Sequence, residues 1–305
     1  MLIRIGDVEI WRVLESVTRF APLEKFFPDL DPDLLARERH LLEPHGLRWD
    51  GETGQDWILL PVQSFLLRTP RNLILVDACV GNDKTLERLP FWDQMRSDRF
   101  MAALAAAGAA PGDVSHVLCT HLHVDHVGWT TRMDGGRWVP TFPNARVLAT
   151  QADLDHARAG WERRPDGTGG MIWRQSIAPL LEAGCLDVVA PDAEIDPSVR
   201  LRPSPGHTPG HVSVEIAAPQ QPAASAVAAG GAITGDLIHS PLQVFAPAMS
   251  PSVDHDPELS AATRRAFLRE AADSGRLVLG SHFPLPSVGH VEAAGYEFRW
   301  VPLLG

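Results

Sequence analysis

Thr120-His121-Leu122-His123-Val124-Asp125-His126-Val127-Gly128-Trp129 follows directly on a turn at Pro111-Gly112-Asp113 and the apolar run 114–119. That run reads as a short buried strand. Immediately after a strand the chain is still extended, so His121 and His123 point the same way at a period of two. The chain then turns into a helix start, from which Asp125 and His126 face the same cavity from the other side. Imidazole nitrogen and carboxylate oxygen are good ligands for zinc and other borderline divalent metals. Four such groups within six residues would go unsatisfied in an apolar setting unless a cation held them.

The same arrangement recurs along the chain. A short apolar strand ends, and a Gly or Thr stands there beside His or Asp: Cys119-Thr120-His121, Ser204-Pro205-Gly206-His207, Thr234-Gly235-Asp236 and Leu279-Gly280-Ser281-His282. Loops at strand ends can converge on one rim held by the sheet beneath, which adds His207, Asp236 and His282 to the candidate metal ligands. Around them the pattern predicts a hairpin over 2–5 and 8–13 and strands at 57–68, 73–76, 146–149, 186–189, 199–202, 212–216, 232–234 and 276–279. Helices are predicted over 97–107, 151–158, 171–182 and 257–272. Residues 20–56, rich in Pro, Asp, Glu and Arg, read as an ordered loop excursion with one short helix at 32–42, and 217–231 as a flexible hairpin loop. No repeat and no dividing linker is seen, so residues 1–305 are expected to form one domain.

Composition narrows the function. Of 305 residues, 45% are hydrophobic and 21% charged, an ordinary globular balance. Against 38 Asp and Glu stand 27 Lys and Arg, and no basic cluster offers phosphate neutralisation, so a nucleic-acid partner is not expected. No apolar run has the length of a membrane span, and the N-terminal residues lack the pattern of a secretory signal. Three cysteines cannot all pair and show no CxxC spacing, which fits small core residues in a reducing cytoplasm.

In their order, THLHVDHVGW, PGHTPGH, TGD and GSH resemble the metallo-β-lactamase superfamily over roughly residues 55–300. GDLIHSPLQVFAP and GSHFPLPSVGHVEAAGYEFRWVP look like the methyl parathion hydrolase and quorum-quenching lactonase branch. The resemblance implies an α/β fold, an αββα sandwich with a two-metal site at one edge of its sheets. It implies that His121, His123 and His207 hold one divalent metal, that Asp125, His126 and His282 hold the other, and that Asp236 bridges both. Zinc is the expected metal, with manganese, cobalt or iron as substitutes. The commonest zinc β-lactamases place Cys where this chain has Asp236, which argues against antibiotic hydrolysis. Flavodiiron proteins carry Glu where it has His123.

The expected activity is hydrolysis of a small-molecule lactone or related ester, with phosphotriesters as promiscuous substrates. Asp125 and Asp236 are the expected catalytic carboxylates, and Asp125 would also shuttle a proton. His239 is the candidate for substrate or leaving-group contact. Asp77 resembles a carboxylate that orients a metal-binding histidine, and His211 reads as a packed or hydrogen-bonded residue. Trp129 and Phe20 are the candidate substrate-pocket residues. Phe20, with Phe26 and Phe27, is assigned to a lid or homodimer contact built from residues 20–56. Glyoxalase II-like thioester hydrolysis, mononuclear-iron persulfide dioxygenation and a non-catalytic metal-binding regulator are the alternatives.

Overall fold

The computed structural model describes residues 2–43, 45–217, 230–295 and 297–303. The expected loop at 217–231 lies almost wholly outside them. The chain forms two compact units, each made of two segments. The first comprises Met1–Ser16 and Val62–Ser198, the second Val17–Pro61 and Val199–Gly305. Two long strands, Val8–Pro22 and Gln55–Arg68, run from one unit into the other.

In the first unit the strand order is Leu2–Ile5, Val8–Pro22, Gln55–Arg68, Leu73–Val76, His116–Leu118, Arg146–Thr150 and Leu186–Val189. The last four are mutually parallel, with Val76 opposite Leu118 and Leu118 opposite Leu148. Every residue of Leu73–Val76 is buried, as expected of a parallel strand covered on both faces. Their carboxyl ends therefore stand in line, and the loops that leave them carry Asp77, Thr120 and the histidine stretch. Sites in parallel α/β sheets form outside such strand ends.

In the second unit the order is Val199–Pro203, Val212–Ile216, Gly231–Ile233, Leu277–Leu279, Val288–Ala294 and Glu297–Pro302. Val212–Ile216 is antiparallel to both its neighbours, and Gly231–Ile233 is parallel to Leu277–Leu279. These directions put the loop after Pro203, the loop after Ile233 and the loop after Leu279 at one end of the sheet. His207, Asp236 and His282 sit on those three loops. The helix Pro257–Ser274, capped by Asp256 and ended by left-handed Gly275, buries Phe267, Leu268 and Ala271 against Val278, Val291 and Trp300.

Several expectations are corrected. The 20–56 segment is not a loop with one helix. It begins as the end of the strand Val8–Pro22, forms helices Leu23–Phe26 and Pro32–Glu38, and returns as the strand Leu47–Asp50 paired to Gln55–Arg68. Phe26 and Phe27 are fully buried in one apolar cluster with Leu34, Leu47, Leu60 and Leu242. The hairpins Thr131–Asp134 with Arg137–Pro140, and Val288–Ala294 with Glu297–Pro302, were not expected. Thr131–Asp134 is exposed over its last three residues and Val288–Ala294 over its last three, which removes the apolar alternation there, whereas Glu297–Pro302 does alternate.

The single helix predicted over 171–182 is interrupted by a π-helical turn, Trp173–Ile177. Pro179 is the cause: its ring displaces the carbonyl four residues back, that of Gln175. The released oxygen accepts from Lys84 Nζ at 3.2 Å and Thr131 Oγ1 at 2.5 Å. Lys84, buried beneath the Trp138 ring, is thereby satisfied, with no carboxylate in hydrogen-bond contact among the described residues.

Candidate metal centre

In the first unit, three imidazoles gather at the parallel strand ends. The His121 ring centroid lies 4.6 Å from that of His123 and 4.1 Å from that of His126. Ligand atoms of His121 and His123 lie within 4.8 Å of each other, as do those of Asp125 and His126. His121 and His126 are buried. Asp77, one residue past its strand, organises them. Its Oδ1 accepts from Thr120 N at 2.8 Å and its Oδ2 from His126 Nδ1 at 2.9 Å. The Thr120 hydroxyl donates to the same carboxylate and so accepts from His121 Nδ1 at 3.1 Å. Asp153, in the helix Gln151–Arg163, holds the loop by accepting from Leu122 N at 2.8 Å.

In the second unit, three imidazoles surround one carboxylate. His207 Nε2 lies 3.2 Å and His239 Nε2 3.1 Å from Asp236 Oδ2, and His282 Nε2 lies 3.1 Å from Asp236 Oδ1. The opposite ring nitrogens are anchored: His207 Nδ1 donates to Asp254 Oδ1 at 2.9 Å, and His282 Nδ1 to the Pro61 carbonyl at 2.7 Å. His211 is buried and hydrogen-bonded. It donates from Nδ1 to the Ser204 carbonyl, and its Nε2 accepts from Asp236 N at 2.9 Å, fixing the backbone of the central carboxylate. Behind Asp254 stands Arg264, fully buried, which donates to Asp254 and to the Leu237, Pro247 and Met249 carbonyls.

This arrangement suits a cation. With Nδ1 carrying the proton, Nε2 of His207 and of His282 presents a lone pair toward a carboxylate oxygen little more than 3 Å away. Two lone pairs so placed repel unless a positive charge lies among them. Burial pulls the His207 pKa down, but Asp236 and Asp254 outweigh it and push it up to about 9, so the local field favours positive charge. The donor set of imidazole and carboxylate fits zinc and its neighbours. His239 differs from His207 and His282: its Nδ1 is buried and has no hydrogen-bond partner among the described residues.

The other expected residues are placed as follows. Trp129 is buried, stacks on Phe100 at 5.2 Å and donates from Nε1 to Glu15 Oε1 at 2.6 Å. It also borders an open surface depression with Asn82, Ser97 and Met101. Phe20 meets Phe26 edge to face at 5.6 Å, and it is Phe26 that touches His239, at 5.6 Å between ring centroids. Sequence reasoning missed Phe26 in this role, and it missed Asp153, Asp254, Arg264 and Glu15. No local motif distinguishes these from surface residues; Arg264 sits in an ordinary helical pattern.

A family model described as the metallo-beta-lactamase superfamily matches residues 57–282. The chain belongs to this superfamily. It is 27% identical over 194 residues to the N-acyl homoserine lactonase AttM of Azorhizobium caulinodans, covering 58% of this chain and 66% of that protein. It is 28% identical over 167 residues to an N-acyl homoserine lactonase of Bacillus cereus, covering 52% and 58%. The matches thus span about three-fifths to two-thirds of these relatives' length. Among solved structures, hydrolase AbOPH of the beta lactamase superfamily superposes with a TM-score of 0.77 at 25% identity, covering 100% of this chain and 97% of that one. AidC, a dizinc quorum-quenching lactonase in complex with a product, superposes with a TM-score of 0.75 at 21% identity over 100% and 97%. The fold is therefore the metallo-β-lactamase fold, as the ordered motifs implied.

Proposed function

We propose that this superfamily member is a hydrolase that opens lactones, or cleaves related esters, with two divalent cations, zinc first among them. His121, His123 and His207 would hold one ion, Asp125, His126 and His282 the other, and Asp236 would bridge. The observation that carries the reading is the ring of imidazoles about Asp236, with Nδ1 of His207 and His282 anchored and Nε2 turned inward. The lactonase activity of the relatives supports the substrate class, and the dizinc neighbour supports the metal count.

When bound, the cation pair would supply Lewis acidity, polarising the carbonyl and bringing a water toward ionisation near neutral pH. The chain's own residues supply order. Asp77, Asp254 and the Pro61 carbonyl fix the ring orientation of His126, His207 and His282. Asp125 would carry the proton to the departing alkoxide. His239, with a bare buried Nδ1, would meet the substrate, and Trp129 and Phe20 would shape the apolar surroundings. Water adds to the lactone and a hydroxy acid leaves. Phosphotriesters would be slower, promiscuous substrates, and the cytoplasm is the setting that the cysteine usage favours.

Metal analysis combined with a panel of lactones, thioesters, aryl esters and phosphotriesters tests this. About two zinc equivalents and fastest turnover of lactones are expected, with Asp236→Ala losing both. One iron with oxygen consumption, or two metals with no hydrolysis across the panel, would overturn the reading.

A further inference from the structure

The loop that follows the strand Leu73–Val76 is strained. Asp77, Cys79 and Gly81 have φ of 61°, 45° and 79°, and for the two residues with a side chain this left-handed backbone is unfavourable. The loop is nonetheless tied to the helix Val124–Val127 and the turn after it. Ala78 N donates to the His126 carbonyl, Gly128 N to that of Cys79, and Trp129 N to that of Ala78, each at 2.7 Å. A Cβ at Gly128 would stand 1.6 Å from the Val80 carbonyl oxygen, so no other residue permits this approach.

Such alternating backbone leaves successive N–H groups pointing into one concavity, which binds an anion. Here the anion is a side chain of the same unit. Glu15 Oε2 accepts from Val80 N at 2.9 Å, and Oε1 accepts from Gly81 N at 3.1 Å and from Trp129 Nε1 at 2.6 Å. Glu15 is 1% exposed. Three neutral donors hold it, and no cation hydrogen-bonds to it among the described residues. A buried carboxylate without a counter-charge is expensive unless hydrogen bonds satisfy it, and here the three donors of the loop and Trp129 do so.

We infer that Glu15 is a positioning residue for the metal ligand His126. Its carboxylate closes the strained 77–81 loop onto Trp129, and so holds Asp77 in the register from which it orients the His126 ring. The inference rests on the proposed role of His126 as a ligand. It adds a residue from the N-terminal strand, outside all of the histidine and aspartate motifs. Burial is the largest influence on Glu15 and pushes its pKa up to about 7 against the pull of its three donors.

Glu15→Gln replaces an acceptor oxygen by an amide that points N–H at N–H. In the full chain reconstituted with zinc, the variant is expected to hold one of two zinc ions about 10–100-fold more weakly in chelator competition. Its Co²⁺-substituted spectrum should change, and kcat should fall with KM little altered. Amide exchange at Val80 and Gly81 should quicken. Glu15→Gln combined with Asp77→Asn should be no worse in zinc affinity than Asp77→Asn alone. If Glu15→Gln fails to fold, Trp129→Phe, which removes one donor, should weaken the same ion several-fold; an unchanged affinity there overturns the inference. A folded Glu15→Gln protein with a lower Tm, but with both zinc affinities and the cobalt spectrum intact, also overturns it. His126→Ala separates the two failures. If it retains both zinc equivalents, the reading of the site falls and the inference with it. If it loses one while Glu15→Gln loses none, the inference alone falls.

Discussion

Arg264 illustrates what a single buried charge does here. Its guanidinium is fully buried, and burial lowers its pKa to about 10, yet it satisfies three carbonyls and Asp254 at once. Arg264→Met leaves Asp254 without this cation and takes a donor from each of those carbonyls, of which only that of Met249 keeps a second one among the described residues, from Gln243 Nε2 at 2.9 Å, and should cost about 3–5 kcal/mol in urea unfolding. Arg264→Lys should recover only part, because one ammonium cannot reach all four acceptors. Gly128 and Gly160 give a matched contrast. Gly128→Ala drives a Cβ into the Val80 backbone and should prevent folding or cost more than about 3 kcal/mol. Gly160→Ala, inside the helix Gln151–Arg163 with nothing within 4 Å of the added carbon, should stabilise by about 0.5–1 kcal/mol in the same assay.

At the scale of elements, the second unit's sheet carries a charge network with a pH signature. Glu215 lies opposite Arg200 on the neighbouring strand and accepts from Arg200, Arg202 and Arg276 at 2.6, 3.2 and 2.8 Å. Burial pushes its pKa up, but the three guanidinium hydrogen bonds outweigh it and lower it to about 2. A carboxylate whose native pKa lies below its unfolded value adds stability above about pH 4.5, and that contribution disappears as pH falls toward 2. After screening by solvent it amounts to about 1–2 kcal/mol. Glu215→Gln should therefore be less stable than the wild type by that amount at pH 7, and the two should converge near pH 2 in unfolding curves taken across the range. A gap that stays constant with pH would remove the network from the account. Elements also show where the pattern misleads. The strand Val212–Ile216 was legible from its apolar alternation, and the helix Pro257–Ser274 from Asp256 and Pro257 at its start, Gly275 at its end and Phe267, Leu268 and Ala271 on one face. The π turn at Trp173–Ile177 was not, because Pro179 alters a carbonyl four residues upstream in a run that otherwise reads as continuous helix.

For the whole molecule, bound cations should be linked to stability. A ligand that binds only the native state adds about 2.7 kcal/mol at a hundredfold excess over its Kd, which for a chain of this size raises Tm by about 5 °C. Stripping the protein with a chelator should lower Tm by at least this much, zinc should restore it with a dependence on its logarithm, and Asp236→Ala should abolish the dependence in calorimetry. A Tm indifferent to zinc would speak against the two-ion reading. No helix among the described residues is long and apolar enough to cross a membrane.

By itself the sequence determined the types and order of the candidate ligand residues, their place at strand ends, and the family. Each of these is written locally: apolar runs end, and His or Asp stands within a few residues of the end. Tertiary structure alone decided what holds those side chains in place. Asp77 reaches His126 across 49 residues, Asp254 reaches His207 across 47, and the Pro61 carbonyl reaches His282 across 221. The chain's own period cannot carry such pairings. They follow from strand register and burial, which bring distant donors and acceptors together in the interior, where each polar group needs a partner.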